Sequence, residues 1–402
     1  MTTLVRILRT KSRATAAAVA FVTAALVGGC GGSGSSGNSV SGAGSLRLAL
    51  TDAPACGFDA VNVTIQKIRV HQNSSAAPTD AGWSEIGLTP PRRIDLLTLS
   101  NGVLSELGQT PLPAGNYTQM RLLLAANDTT NPLANSVVPQ GASEVALTTP
   151  SGVETGLKMN IDINVAANQM ADFVLDFDAC KSVVTAGASG KYLLKPVVSV
   201  VPRFSSGVQG FVDAALANGN SAISLQQMGV VVKATVPDAS GRFLLQPVGA
   251  GMYDLVITAP GHATGVVTNV VIAADTVTSI SGSSNPLSLP ASATGTLAGK
   301  VTTAVTPIDA TVDATQSLSG GHTIEVIGAA VDSVSGAYSY SAPVGAPAVA
   351  PYVAAPATLN FAADNAAAGK YLLVATSAGS TKTAGPVSLA AGATVTTNFT
   401  FP

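Results

Sequence analysis

The sequence predicts an all-β protein with three β-sandwich domains in tandem, placed after an N-terminal leader and a flexible linker. Charged residues make up only 10% of the 402 residues, whereas long solvated helices usually carry many Glu and Lys. The apolar residues are mostly Ala, Val and Leu interleaved with Thr, Ser and Gly, a mixture that favours short strands joined by turns. Apolar and polar residues also alternate with period two in several separate stretches.

The first 29 residues have the layout of a secretory signal peptide: a basic head, a short apolar run over 14–27 and small residues before Cys30. The run is shorter than the ~20 apolar residues that span a bilayer. Val27-Gly28-Gly29-Cys30 resembles the lipobox of bacterial lipoproteins, although that family usually has leucine at the position of Val27. The resemblance implies a lipidated Cys30 and, because Gly31 follows, an outer-membrane location. The alternative is an ordinary cleaved signal peptide followed by an incidental cysteine.

A Gly/Ser linker occupies 30–44 and is expected to be a flexible coil. The first folded domain then spans 45–203. Its opening strand shows strict alternation around Leu46, Leu48 and Leu50, and a shift in period predicts a bulge near Gln66-Lys67. Shorter strands are expected at 83–86 and 93–97, a helical turn around 104–107, and a strand over 172–180.

Several motifs in this domain occur in a fixed order: Thr51-Asp52-Ala53-Pro54-Ala55-Cys56, Asp59-Ala60-Val61-Asn62-Val63, Leu112-Pro113-Ala114-Gly115-Asn116-Tyr117, Leu175-Asp176-Phe177-Asp178-Ala179-Cys180-Lys181 and Leu194-Lys195-Pro196-Val197. Together they resemble a family of bacterial lipoproteins that carries a domain of unknown function, DUF4382. The resemblance covers about 45–203. It implies an exported β-rich domain and supplies no activity and no catalytic residues.

The remaining chain contains two related segments, 205–290 and 295–402. Both have G-x-V, then S-G-x-aromatic, then A-G-x-Y, then a Val/Thr-rich strand. This order resembles the carboxypeptidase regulatory-like domain, a prealbumin-like sandwich. The second copy is divergent, because it carries an Ala/Pro-rich insertion near 342–367.

Three cysteines are present. If Cys30 is lipidated, an even pair remains in an exported setting, and the expected pairing is a disulfide between Cys56 and Cys180. Two free buried thiols are the alternative. A zinc site is not expected, because no C-x-x-C spacing occurs and the three histidines are scattered.

One acidic stretch is a candidate metal site. In a strand, Asp172, Asp176 and Asp178 share one face, and three carboxylates could bind Ca²⁺, with Asp52 and Asp162 joining from neighbouring strands. The simpler interpretation is the solvent face of an outer strand, because no glycine-rich calcium loop accompanies the carboxylates. No other cofactor is expected.

Catalytic motifs are missing from the sequence: it contains no G-x-S-x-G, no H-E-x-x-H and no nucleotide-binding glycine loop. Exposed aromatic residues could stack on sugars, and Trp83 and Tyr352 are the candidates, although packing in the core or at its rim is the simpler explanation for both. Prealbumin-like sandwiches include starch-binding relatives, so carbohydrate binding is an inference from the resemblance alone.

The sequence therefore predicts a membrane-anchored, non-catalytic binding or structural module of the cell envelope. Two alternatives remain: a carbohydrate-binding surface protein, and a hydrolase that uses Asp172, Asp176 and Asp178. The expected partners are the membrane, through the lipid, and a glycan or an envelope protein. With a net charge of −2 there is no basic footprint for nucleic acid.

Overall fold

Strands dominate this chain, which confirms the all-β prediction. The computed structural model describes residues 43–402 except 53–56, 150–151, 154, 218 and 355–356. The signal peptide, Cys30, nearly all of the linker and Cys56 lie outside these described residues. Within them, no helix is long and apolar enough to cross a membrane.

The first sandwich packs a four-stranded sheet, in the order β12-β9-β1-β4, against a larger sheet in the order β10-β11-β7-β6-β2-β5-β8, with β3 also paired to β2. Its elements are β1 (Gly44–Asp52), β2 (Phe58–His71), β3 (Ser84–Asp95), β4 (Ser105–Leu112), β5 (Gly115–Leu124), β6 (Ser136–Pro139), β7 (Val145–Thr148), β8 (Leu157–Val165), β9 (Met170–Phe177), helix α1 (Ala179–Ser182), β10 (Val183–Thr185), β11 (Tyr192–Leu194) and β12 (Val198–Pro202).

Alternation explains the inner faces of these sheets. Leu46, Leu48 and Leu50 are fully buried and lie in one core with the inward residues of the larger sheet. The predicted bulge is confirmed: the register of β2 against both β3 and β5 shifts between Ile65 and Lys67.

Three local predictions for the first sandwich are wrong. The two short strands at 83–86 and 93–97 are one strand, β3, which runs to Asp95. The segment around 104–107 belongs to β4 rather than to a helical turn, because it pairs with β1. The strand predicted over 172–180 ends at Phe177, where Asp178 caps helix α1.

The second sandwich has one sheet in the order β16-β13-β19 and another in the order β15-β14-β17-β18, extended by β24 and β25. Its strands are β13 (Gly207–Phe211), β14 (Ala222–Gln227), β15 (Val230–Thr235), β16 (Arg242–Leu245), β17 (Gly251–Thr258), β18 (Gly265–Ile272) and β19 (Val277–Ser279).

The third sandwich repeats this strand order. One sheet runs β23-β20-β28, with β29 also on β20, and the other runs β22-β21-β26-β27. Its strands are β20 (Thr294–Thr302), β21 (Ala310–Ser317), β22 (Thr323–Ala330), β23 (Ala337–Pro343), β26 (Lys370–Ser377), β27 (Ser380–Ser388), β28 (Thr394–Thr396) and β29 (Phe399–Thr400). In both sandwiches the first strand pairs in parallel with a late strand, β13 with β19 and β20 with β28.

The insertion in the third sandwich contributes strands to the second. It contains β24 (Ala348–Pro351) and β25 (Ala362–Ala363). Strand β24 pairs in parallel with β18, and β25 pairs with β24. The segment that makes the third copy divergent in sequence therefore completes the sheet of its neighbour.

Candidate functional site

The predicted acidic cluster lies on a covered strand rather than on an outer one. Strand β9 is flanked by β12 and β1. Val174, which lies between Asp172 and Asp176 in the sequence, is fully buried. The side chain of Asp176 is only 13% exposed, because Lys233 of the second sandwich reaches it, with Nζ 2.8 Å from Oδ1. The expectation of an open solvent face is therefore wrong.

The three carboxylates have separate partners. Asp172 forms an ion pair with Arg47 and lies 3.9 Å from a guanidinium nitrogen of Arg203. Asp178 accepts a hydrogen bond from the backbone N–H of Lys181 at 2.9 Å, which caps α1. Among the described residues, no group of three or more His, Cys, Asp or Glu is arranged to hold a metal ion.

Burial raises the pKa of two carboxyl groups near this strand. Asp52 is almost fully buried, and burial raises its pKa well above the usual range, although the N–H of Ala179 donates to Oδ1 and opposes the shift. Burial likewise raises the pKa of Asp178. These groups titrate abnormally because the surrounding sandwiches exclude water.

Trp83 is enclosed by charged side chains. The guanidinium groups of Arg69 and Arg121 lie 4.7 and 5.6 Å from its ring centroid, and the ring of His71 lies 5.0 Å away. Its indole N–H donates to the carbonyl of Ala77 at 3.0 Å. These contacts are those of a structural cation–π cluster.

Tyr352 follows β24 and packs against the core of the second sandwich. Its backbone N–H donates to the carbonyl of Thr268 at 2.8 Å. The residue thus serves to dock the insertion. Cys180 is disulfide-bonded, but Cys56 lies outside the described residues, so their pairing stays a prediction.

A junction between the first and third sandwiches is built around Lys181 of α1. Its Nζ lies 3.0 Å from Oε1 of Glu325 and 4.0 Å from Oδ1 of Asp313. Gly328 makes room for this arrangement, because a Cβ there would lie 2.4 Å from both carboxylates. Sequence reasoning missed this group because Asp313 and Glu325 come from segments far from Lys181 in the sequence and belong to no recognised motif.

The charges at this junction perturb one another. Burial, reinforced by the nearby carboxylate of Glu325, raises the pKa of Asp313 to about 6. Burial alone would lower the pKa of Lys181, but the carboxylates of Glu325, Asp313 and Asp178 raise it. Lys181 therefore stays a cation that neutralises a partly desolvated acidic pair.

Asp332 forms a second contact between the third sandwich and the first. Its Oδ2 accepts hydrogen bonds from the Thr185 hydroxyl and from the Gly187 N–H, each at 2.8 Å. The residue precedes the S-G-x-aromatic motif of the third sandwich, and its contact with the first sandwich comes from a distant part of the chain.

The second sandwich also contacts both others. The N–H of Asn101 in the first sandwich donates to the Thr235 hydroxyl at 2.8 Å. Gln226 donates from Nε2 to the Glu325 carbonyl and accepts at Oε1 from the Glu325 N–H, both at 2.8 Å. Each sandwich therefore touches the other two.

A cavity of about 530 Å³ lies where the three sandwiches meet. Asp178 and Lys181 line it from the first sandwich, Ser224 and Gln226 from the second, and Glu325 from the third. The described residues that line it include no histidine, and Ser224 accepts a hydrogen bond from the Gln226 amide. This arrangement supplies polar binding groups and ion pairs rather than a nucleophile with a base.

A family model described as a domain of unknown function, DUF4382, matches residues 43–196. The first sandwich therefore resembles that family, as the sequence motifs predict. The resemblance of the two later sandwiches to carboxypeptidase regulatory-like domains is not confirmed by a family model. No curated protein matches the chain.

Solved structures give distant matches. One is a mutant type II cohesin–X-dockerin complex from Acetivibrio cellulolyticus, at 24% identity and a TM-score of 0.19 over 22% of this chain and 58% of that one. The Bacillus anthracis TIE protein matches at 12% identity and a TM-score of 0.16 over 90% of this chain and 51% of that one. BcpA, the major pilin subunit of Bacillus cereus, matches at 10% identity and a TM-score of 0.15 over 89% of this chain and 99% of that one. The chain thus spans little more than half of the first two, and the low TM-scores carry no functional argument.

Proposed function

We propose that the chain is a cell-envelope lipoprotein, anchored through Cys30, whose three sandwiches act together as one non-catalytic binding or structural module. The observation that carries this proposal is the set of contacts that joins each sandwich to the other two. Lys181, Lys233 and Asp332 are all committed to these contacts. The proposal is also supported by Asp172 and Asp176, two carboxylates of the hydrolase alternative, which form ion pairs with Arg47 and Lys233.

The absence of turnover is tested by a screen of the full chain with esterase, glycosidase and peptidase substrates. We expect no activity above that of a protein-free blank. Turnover that disappears in folded Asp176→Asn and persists in Asp162→Asn would establish the hydrolase alternative instead. Asp162 is the matched control, because it is an exposed strand aspartate that accepts a hydrogen bond from Asn116.

The anchor is tested separately by fractionation. Cys30→Ser is expected to move the protein from the membrane pellet to the soluble fraction, because the thiol that would carry the lipid is lost. Retention of the variant in the pellet after a carbonate wash would show that the attachment lies elsewhere.

A further inference from the structure

Two methionines and a histidine line one pocket between the second and third sandwiches. The pocket has a volume of about 360 Å³, and Met228, Met252 and His322 are among its lining residues. The side chains of methionines usually fill cores, but Met228 is 89% exposed and Met252 is 57% exposed. Core packing therefore does not explain either residue.

The two methionines lie at the same end of the β14–β17 strand pair. Gln226 of β14 pairs with Asp254 of β17; Met252 is two residues before Asp254 on β17, and Met228 lies in the turn that follows β14. The Gln227 side-chain amide donates to the Met252 carbonyl at 3.1 Å, which ties the two strands at this level. Residues two apart on a strand share a face, so Met252 lies on the same face as Asp254, and Met228 lines the same pocket from the turn.

Turn chemistry does not explain Met228 either. It is the first of two residues between Gln227 and Val230, which pair with each other. Met228 has a φ of 51° and Gly229 a φ of 77°, the type I′ geometry for which Asn-Gly is strongly preferred. A long unbranched side chain is held in the left-handed region here, although an asparagine would fit with less strain.

The histidine comes from the third sandwich, in the loop between β21 and β22. Its Nδ1 lies 2.9 Å from Oδ2 of Asp254, and the other oxygen of Asp254 accepts from the Asn269 N–H at 3.1 Å. Because a carboxylate only accepts hydrogen bonds, we assign the proton to Nδ1, which leaves the lone pair on Nε2. A carboxylate that orients an imidazole in this way is typical of histidines that bind metals.

We propose that Met228, Met252 and His322 form a site for a soft monovalent metal ion, Cu(I), with Asp254 as the residue that orients the imidazole. Thioether sulfurs are soft ligands that select Cu(I), and imidazole binds copper well. Two thioethers and one nitrogen give a neutral set of three ligands. The site needs both sandwiches, so metal binding would also link the β14–β15 turn to the β21–β22 loop.

The first experiment uses Ag(I) as a redox-inert probe of the full chain carrying ¹³C-methyl methionine. We expect two methyl signals to shift and to saturate at one equivalent, and each to disappear from the spectrum in Met228→Leu or Met252→Leu. Met170 is the matched control, because it is an exposed methionine of the first sandwich. Equal shifts at Met170, or no shift at Met228 and Met252, would overturn the proposal.

The second experiment measures Cu(I) affinity by competition with bicinchoninate under anaerobic conditions. Loss of a ligand in Met228→Leu, Met252→Leu or His322→Gln is expected to weaken binding at least tenfold, and Asp254→Asn about tenfold. Met170→Leu and His262→Gln should bind like the wild type, because Met170 belongs to the first sandwich and His262 is not among the residues that line this pocket. Equal affinity in all variants would overturn the proposal.

Met228→Asn separates binding from structure. Asparagine suits the first position of a type I′ turn, so this variant is expected to keep or raise the melting temperature while it loses Cu(I) affinity at least tenfold. A drop in melting temperature with unchanged affinity would show that Met228 has a structural role only.

Discussion

The second and third sandwiches have the same strand order, yet their loops differ in length and in the contacts they make. In the second sandwich, the connection between β16 and β17 is short, and the Tyr253 hydroxyl donates to the Gly249 carbonyl four residues upstream at 3.0 Å. In the third, the equivalent connection between β23 and β26 holds β24 and β25, and the Tyr371 hydroxyl donates to the distant Pro343 carbonyl at 2.6 Å.

The aspartate turns before the S-G-x-aromatic motifs differ in the same way. Asp238 accepts hydrogen bonds from Ser240 and Arg242 of its own turn. Asp332 accepts from its own turn, through Ser335, and also from the first sandwich. A repeated sandwich can therefore keep its core motifs while the loops of one copy form contacts between domains.

The largest expected effect comes from a change in the third sandwich that damages the second. Ala350 of β24 is fully buried and pairs with Val267, a core residue of the second sandwich. Ala350→Asp would bury an unpaired charge and is expected to lower the free energy of unfolding by more than about 3 kcal/mol. Urea denaturation measures the loss, and hydrogen exchange should rise in β17 and β18.

Ala362→Asp is the matched control, because Ala362 is an exposed residue of the same insertion. Its cost should stay within about 0.5 kcal/mol. If hydrogen exchange in Ala350→Asp rises only in the third sandwich, β24 does not support its neighbour.

The two aspartate turns allow a direct test of local against shared contacts. Asp332→Ala is expected to cost about 2–3 kcal/mol, because N–H and hydroxyl donors of two sandwiches lose their acceptor. Asp238→Ala should cost about 0.5–1 kcal/mol, as for a local cap. Thermal unfolding of both variants measures the difference, and equal costs would contradict a shared role for Asp332.

These turns also predict a pH dependence. Burial opposes ionisation of Asp332, but the N–H and O–H donors of Ser335, Thr185 and Gly187 hold its pKa well below the usual range. A carboxyl group whose pKa is lowered by folding stabilises the folded state at pH values above the ordinary carboxyl pKa. This stabilisation is lost as the pH falls through the lowered pKa. The difference in free energy of unfolding between wild type and Asp332→Ala should therefore decrease below about pH 4.

A smaller effect is expected from the lysines that join the first and third sandwiches. Lys181→Met leaves the mostly buried Glu325 carboxylate without its cation and should cost about 2 kcal/mol. Lys195→Met is the control, because its partner Asp309 is 86% exposed, and should cost less than about 1 kcal/mol. A double-mutant cycle with Glu325→Gln isolates the Lys181 pair, and no coupling there would contradict its role.

Much of the fold could be predicted because one face of most strands is buried. Alternation in β1 and β8 is a local property and is visible without the structure. The region around Leu104 and Leu107 was misread because leucines three apart suit a helix, whereas pairing with β1 decides the outcome. Long-range pairing leaves no local signature.

The site was less predictable for a related reason. Spacing alone could place Asp172, Asp176 and Asp178 on one strand, but their partners Arg47 and Lys233 come from distant strands. The role of Asp178 depends on the end of β9 at Phe177, because Asp178 then caps helix α1. Sequence patterns thus identified the ionisable groups and could not show that other sandwiches cover them.

The last and smallest effect concerns Asp313, whose carboxyl group is destabilising at neutral pH. Burial and the Glu325 carboxylate raise its pKa to about 6, so between about pH 4 and pH 6 the folded state binds more protons than the unfolded state. The contribution of Asp313 to the free energy of unfolding should therefore fall as the pH rises through this window. Asp313→Asn removes the titrating group and should flatten this part of the profile.

At pH 7.5 the variant should be more stable than wild type by about 1 kcal/mol, because losing the charge next to Glu325 outweighs losing the weaker attraction to Lys181, 4.0 Å away. Asp309→Asn is the matched control, since that carboxylate is exposed and pairs with Lys195 rather than with Lys181. Urea denaturation from pH 4 to pH 8 measures both variants. A difference between wild type and Asp313→Asn that stays constant through this window, or an Asp313→Asn variant less stable than wild type at pH 7.5, would show that the Lys181 pair dominates the junction.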